Sequence, residues 1–111
     1  MNVYDTANKL AQEMKNSQEY LDYKKIKEEV NQNIELKLKL DEFEKSRYEV
    51  QLEVMQGKEQ NKEKTESMQK IYLELVQNET TKKYFDAELK FNVLLSDVNK
   101  IIGEAVQDVL N

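Results

Sequence analysis

The sequence contains no proline, cysteine, histidine or tryptophan, and only two of its 111 residues are glycine. Proline and glycine end helices and shape β-turns, and β-sandwiches and barrels need a turn signal roughly every ten residues. Their scarcity therefore excludes such β folds. Without cysteine the chain can hold neither a disulfide framework nor a thiolate-bound cluster. Without histidine and cysteine it also lacks nucleophilic triads and the Glu-x-x-His motif of di-iron bundles.

Other functions are limited by the absence of long apolar runs and by the small number of arginines. The apolar runs reach only two or three residues, against about 20 for a membrane span. Residues 1–5 lack the basic and apolar regions of a signal peptide, so we expect a cytoplasmic protein with no membrane contact. Arg47 is the single arginine in a chain with a net charge of −5. We therefore do not expect direct nucleic-acid binding.

The residues that are present favour helices. Lysine, glutamate, leucine and glutamine are good helix formers, and apolar residues recur at steps of three and four along most of the chain. We predict an all-α fold in a single helical domain, residues 1–111. The predicted bundle has about five helices, with the third and the last long: residues 3–15, 19–30, 33–55, 62–77 and 80–110.

Residues 34–40 alternate between apolar and polar side chains, which would also fit a strand. We favour a helix, because a lone strand has no partner and the spacing changes to steps of four and three after Leu40. Arg47 falls within this apolar face, either as a buried specificity device or, as we favour, with its head group extended to solvent. Gly57 is expected to close the third helix in the left-handed conformation. Gly103 indicates either a frayed C-terminal turn or a close helix crossing.

The last predicted helix has the most regular pattern. Its apolar residues step by three and four without exception, and a second apolar line runs beside them through Phe85, Leu95, Ile102, Val106 and Val109. A helix over residues 80–110 would span roughly 46 Å, more than one compact chain of this size can cover. We therefore expect a homodimer formed by helix packing. The predicted dimer-interface residues are Tyr84, Ala87, Phe91, Leu94, Val98, Ile101 and Ala105.

No pattern in the sequence points to catalysis. Phosphate-binding loops need clustered glycines, and Gly57 and Gly103 stand alone. The acidic residues lie next to lysines, which is typical of a solvated, salt-bridged helix face. No loop has the acid spacing of a Ca²⁺ site. We therefore expect no enzyme activity, no catalytic or cofactor-binding residues, no cofactor and no bound metal.

Residues 1–110 resemble the small bacterial YheA-type family, which is related to YlbF and YmcA. The resemblance rests on the order and separation of short segments, none of which is a sharp motif by itself. These segments are Val3-Tyr4-Asp5, Ser17-Gln18-Glu19-Tyr20, Val30-Asn31, Gln51 with Met55-Gln56-Gly57-Lys58, and Leu95 with Val98-Asn99-Lys100-Ile101-Ile102.

The resemblance implies a helical fold that dimerises through its long helices and has no known enzymatic activity. YlbF and YmcA are adaptors that join a partner called YaaT and influence RNase Y, competence, biofilm formation and sporulation. Their complex has been linked to iron–sulfur clusters held by cysteines. This chain has no cysteine, so that property does not carry over.

Two hypotheses for function follow. One is a non-catalytic adaptor that acts through a homodimer and a protein partner, in RNA processing or developmental regulation. The other is a chaperone-like or secretion-related helical protein that holds apolar segments of its clients. An adaptor should bind one partner stoichiometrically, whereas a holding protein should suppress the aggregation of unrelated proteins.

Overall fold

The computed structural model describes residues 2–110, and these contain helices and no strand. Helices α1 and α4 have the predicted bounds, and residues 34–40 are helical, so the all-α prediction is confirmed. The helices are α1 (Val3–Lys15), α2 (Gln18–Gln32), α3 (Ile34–Met55), α4 (Lys62–Gln77), α5 (Glu79–Ala105) and α6 (Gln107–Leu110).

The long last helix is shorter than predicted. Instead of continuing from residue 80 to 110, α5 ends at Ala105, and Val106 leaves the helical conformation with φ −111° and ψ 9° before the single turn of α6. Gly103 and the β-branched Val106 are both weaker helix formers than alanine or leucine, and no other helix supports this end of α5 by burying it.

The helices are separated by capping residues, since the chain has no proline to break them. Each of the five long helices begins with a side-chain oxygen that accepts a hydrogen bond from a backbone N–H of the first turn. These N-caps are Asn2, Ser17, Asn33, Asn61 and Asn78. Such a cap contributes about 1 kcal/mol to the stability of its helix and allows a sharp change of direction within one or two residues.

The turn after α3 confirms the role predicted for Gly57. Among residues 2–110 it alone has a positive φ, of 71°. The N–H of Lys58 then donates to the carbonyl of Glu53 at 3.0 Å, and the N–H of Gly57 to that of Val54 at 3.1 Å. This arrangement satisfies carbonyls that the end of a helix leaves free.

The core lies where two antiparallel helix pairs meet. Helix α2 packs along α5, and α3 forms a hairpin with α4 that joins both. The buried apolar residues are Ile26, Val30, Leu40, Phe43, Leu75, Tyr84 and Ala87. Thr81 is buried among them, and its hydroxyl donates to the carbonyl of Leu75, so its burial leaves no polar group unpaired.

The molecule is thin and extended. Its Cα atoms span 50 × 36 × 16 Å, and the radius of gyration is 17.6 Å, against about 13 Å for a compact chain of this length. The accessible surface is 8971 Å², whereas a compact monomer of 13.2 kDa would expose about 6,400 Å². The single chain thus leaves roughly 2,500 Å² more surface in contact with water than a compact fold would.

None of the helices in residues 2–110 is long and apolar enough to cross a membrane.

Candidate protein-interaction surface

The first half of α5 is held in place by aromatic side chains. The ring of Tyr23 from α2 lies 5.6 Å from that of Tyr84 and 5.8 Å from that of Phe91, measured between centroids. On the other side, Phe85 lies 5.4 Å from Phe43 of α3 in an edge-to-face arrangement. Such pairs favour packing beyond the area they bury. Residues 84–91 of α5 are therefore fixed between α2 and α3.

A polar cluster beside these rings also joins three helices. The guanidinium of Arg47 in α3 donates to both carboxylate oxygens of Glu88 in α5, at 2.9 and 3.1 Å, and to Glu44 at 2.5 Å. The hydroxyl of Tyr23 in α2 donates to Glu88 at 3.4 Å and lies 3.5 Å from the hydroxyl of Tyr84. Glu88 thus accepts hydrogen bonds from two helices.

The surroundings change the titration of two of these groups. The hydrogen bond to Glu88 is the main reason why the pKa of Arg47 is raised, so the guanidinium stays charged. Burial raises the pKa of the Tyr84 hydroxyl. This hydroxyl therefore stays neutral at pH values above the ordinary pKa of a tyrosine.

The expectation that Arg47 extends its head group to solvent is wrong. Its side chain is only 33% exposed, and that of Glu88 is 13% exposed. The physical reason is the carboxylate of Glu88, whose position opposite Arg47 depends on how α5 packs and is not visible in the local sequence.

We predict that Arg47→Ala lowers the free energy of unfolding by about 1–3 kcal/mol, because it leaves the largely buried Glu88 carboxylate without its main donor. Lys64→Ala is the matched control. Lys64 forms an ion pair with Glu53 at 2.9 Å that is more exposed, and its loss should cost less than about 1 kcal/mol. Urea unfolding followed by circular dichroism measures both, and equal losses would contradict the prediction.

The structure separates the seven predicted interface residues into two groups. Tyr84 and Ala87 are buried in the core of the single chain, so their side chains leave little surface for a partner. Phe91 is partly covered by Tyr20, whose ring centroid lies 6.0 Å away, and by Tyr23. Periodicity alone could not distinguish packing within the chain from packing between chains. The burial of Tyr84 and Ala87 within the single chain does not favour a place in the interface, and their predicted role there stays a prediction.

The remaining predicted residues lie where α5 runs past the start of α2. Leu94 and Val98 are half-buried, Ile101 is 69% exposed, and Ala105 is exposed. Together with Leu95 and Ile102, which are also exposed, they form one face of the helix. We call this face the C-terminal apolar surface; it consists of Leu94, Leu95, Val98, Ile101, Ile102 and Ala105. Its role in a dimer stays a prediction.

The chain has a second apolar face besides that of α5. It lies on α1, where Val3, Ala7, Leu10 and Met14 share one side of the helix. No residue from Val3 to Lys15 is buried, and Val3 is 80% exposed. These residues are separated by steps of four, three and four, as the apolar residues of α5 are. This spacing is the feature of the sequence from which the face could be predicted. We call this the N-terminal apolar face.

Gly103 lies on α5 beside the C-terminal apolar surface, in open space. A Cβ atom added there would have no atom within 4 Å. Within residues 2–110 no helix crosses at this position, so the close-crossing interpretation has no support within the chain. The helix ends only two residues later, as the frayed-turn interpretation expects.

We predict that Gly103→Ala raises the free energy of unfolding by about 0.5–1 kcal/mol, since alanine is the better helix former and meets no neighbour. Urea unfolding by circular dichroism provides the measurement. A loss of stability, or a change of oligomeric mass, would mean that a second chain passes close to this glycine.

Charged side chains line a groove in the described part of the chain, residues 2–110. A groove of about 350 Å³ between α2 and α5 has Ile26 and Ala87 in its wall, and lysines and carboxylates surround them. Lysine and carboxylate side chains so arranged are typical of a solvated helix surface. In the part of the chain that the structure describes, no group of three or more acidic side chains is placed to hold a metal ion.

Comparison with known families gives a match over nearly the whole chain. The model of a family described as "Control of competence regulator ComK, YlbF/YmcA" matches residues 3–107. A UPF0342 protein of Symbiobacterium thermophilum is 39% identical over 104 residues, covering 94% of this chain and 93% of its relative. A UPF0342 protein of Desulfitobacterium hafniense is 34% identical over 116 residues, covering 99% and 89%.

Solved structures share the fold. A protein of unknown function (DUF964) from Bacillus stearothermophilus superposes with a TM-score of 0.82 at 16% identity, covering 98% of this chain and 96% of that one. A chain of the crystal structure of Bacillus subtilis RicA in complex with RicF superposes with a TM-score of 0.63 at 20% identity, with the same coverage. At these identities the likeness shows the fold alone.

Proposed function

The chain belongs to the YlbF/YmcA family, and from this membership we propose that it is a non-catalytic regulatory adaptor that acts through protein–protein contacts as a homodimer. The family description concerns control of a competence regulator, and one fold relative comes from the complex of RicA with RicF. By resemblance to YlbF and YmcA, the process we propose is RNA processing or developmental regulation, including competence, biofilm formation and sporulation. The cytoplasmic location stays a prediction.

The observation that carries the proposal is the uncovered C-terminal apolar surface. Monomeric proteins rarely leave a continuous apolar face of several large side chains in water. The chain also exposes roughly 2,500 Å² more than a compact monomer would, and an obligate dimer commonly covers about 1,000–2,500 Å² on each partner. A second copy can supply the missing cover.

The absence of histidine and cysteine supports the non-catalytic part of the proposal. The carboxylates of the groove between α2 and α5 lie beside lysines on an open surface, which does not exclude water from them. An adaptor does not need such exclusion, because its effect depends on the area and complementarity of its contacts.

We predict that the wild-type protein has about twice the 13.2 kDa chain mass by light scattering after size exclusion. Ile101→Asp should shift it toward the monomer mass, because a dimer would have to bury an unpaired carboxylate. Ile101 is exposed in the single chain, so the variant should keep its helical circular dichroism spectrum. Asn99→Asp adds the same charge at an exposed position outside the apolar surface and should remain dimeric. A well-folded wild-type monomer at tens of micromolar would refute the homodimer.

We further predict that the wild-type protein, used as bait in its native host, retains one protein partner in stoichiometric amount. Mass spectrometry of the purified complex gives the measurement. If the protein instead suppresses aggregation of several unrelated proteins and retains no defined partner, the chaperone-like hypothesis is favoured. Asn99→Asp provides the bait control, since it should retain the same partner.

A further inference from the structure

We propose that α1 of one copy packs against the C-terminal apolar surface of α5 in a second copy, and that the second copy's α1 does the same in return. In this arrangement the N-terminal apolar face meets the surface formed around Val98 and Ile101. The inference rests on the homodimer proposed above and names the element that covers α5 within it.

Both faces are uncovered in the single chain. Helix α1 contacts mainly α2, and its apolar residues remain exposed or only half-buried. Beyond the pair formed by Tyr20 and Phe91, the residues of α5 are half-buried or exposed. Val3 and Ile101 are both largely exposed, so neither of these two residues is covered within one chain.

The two faces match in length and spacing. The N-terminal apolar face extends from Val3 to Met14 and the C-terminal apolar surface from Leu94 to Ala105, which is the same number of helical positions. Each extends about 16 Å along its helix. Both present apolar residues at steps of three and four, the pattern by which one helix packs into the grooves of another.

Helix α1 is short enough that packing of its apolar face would be needed to stabilise it. Helices of about 12–15 residues or fewer are marginal in water unless an amphipathic face is packed. Helix α1 has 13 residues, with Asn2 capping its start, but no buried side chain. A partner surface for its apolar face would stabilise it, and the matching surface on the same sequence is that of α5.

The size of the interface favours a second copy over a foreign protein. A stable interface takes about 20–30 residues and 800 Å² from each partner. Residues 94–110 fall short of that number, and many of them face away from the apolar side. Adding the 13 residues of α1 extends the available stretch to about 30 residues per chain, so the part that faces the partner comes closer to this range. In a dimer with two-fold symmetry, α1 of each chain contacts α5 of the other, so the contact occurs twice. The N-terminal apolar face and the C-terminal apolar surface would then be covered in both chains.

The absence of cysteine allows a direct test by cross-linking. Ala7→Cys is made in one preparation and Ile101→Cys in an isotopically heavy one; the two are mixed to equilibrium and treated with a short bis-maleimide. We expect a product of twice the chain mass that contains one light and one heavy chain. Gln12→Cys replaces Ala7→Cys as the control, because Gln12 lies on the opposite side of α1, and it should give little of the mixed product.

A second variant tests the energetics without cross-linking. Leu10→Asp should raise the dimer dissociation constant at least about tenfold, since it places a charge in the contact. The helical spectrum should persist because Leu10 is not part of the core. Gln12→Asp adds the same charge on the exposed side of α1 and should leave the dissociation constant unchanged.

The outcomes separate this inference from the proposed function. A dimer without the mixed light–heavy product, or with cross-links only between two copies of Ile101→Cys, overturns the role of α1 and leaves the homodimer standing. A cross-link within a single chain carrying both cysteines also overturns it. A wild-type monomer would refute the homodimer and this inference together.

Discussion

The antiparallel contact between α2 and α5 decides which part of the last long helix is core and which part is surface. Where the two helices run side by side, Tyr84 and Ala87 are buried, and the ring of Tyr23 packs against those of Tyr84 and Phe91. Where α2 begins, near Tyr20, this cover stops. The same apolar spacing then continues along α5 into solvent. The C-terminal apolar surface is thus the continuation of the core beyond the end of its neighbouring helix.

The polar cluster around Arg47 gives this contact a defined geometry. Aromatic rings and aliphatic side chains can slide past one another at modest cost, but a guanidinium that donates to both oxygens of Glu88 allows little displacement. Because Tyr23 also donates to Glu88, a shift of α5 would disturb its bonds to α2 and α3 together. The position of the C-terminal apolar surface therefore depends on a cluster that contacts α5 at Glu88, before Phe91 and the surface itself.

The family comparison shows how little of this fold depends on particular residues. The fold superposes on that of a DUF964 protein with a TM-score of 0.82 at only 16% identity. Helical bundles tolerate such divergence because the spacing of apolar positions, their approximate volume and the capping residues specify the packing. The resemblance seen in the sequence, which rested on the order and separation of weak segments, was confirmed by the family match for this reason.

The sequence by itself determined the features that depend on neighbours within a few residues. The bounds of α1 and α4, the helical state of residues 34–40 and the left-handed Gly57 follow from local hydrogen bonding and from steps of three and four. Only the tertiary structure decided the partner of each apolar residue. The ion pair of Arg47 and the burial of Tyr84 and Ala87 within the single chain were not visible in the sequence, because the side chains that cover them are distant along the chain. A periodic apolar face indicates that one side of a helix packs against another element. The length and position of the neighbouring helices then determine which of its residues are buried.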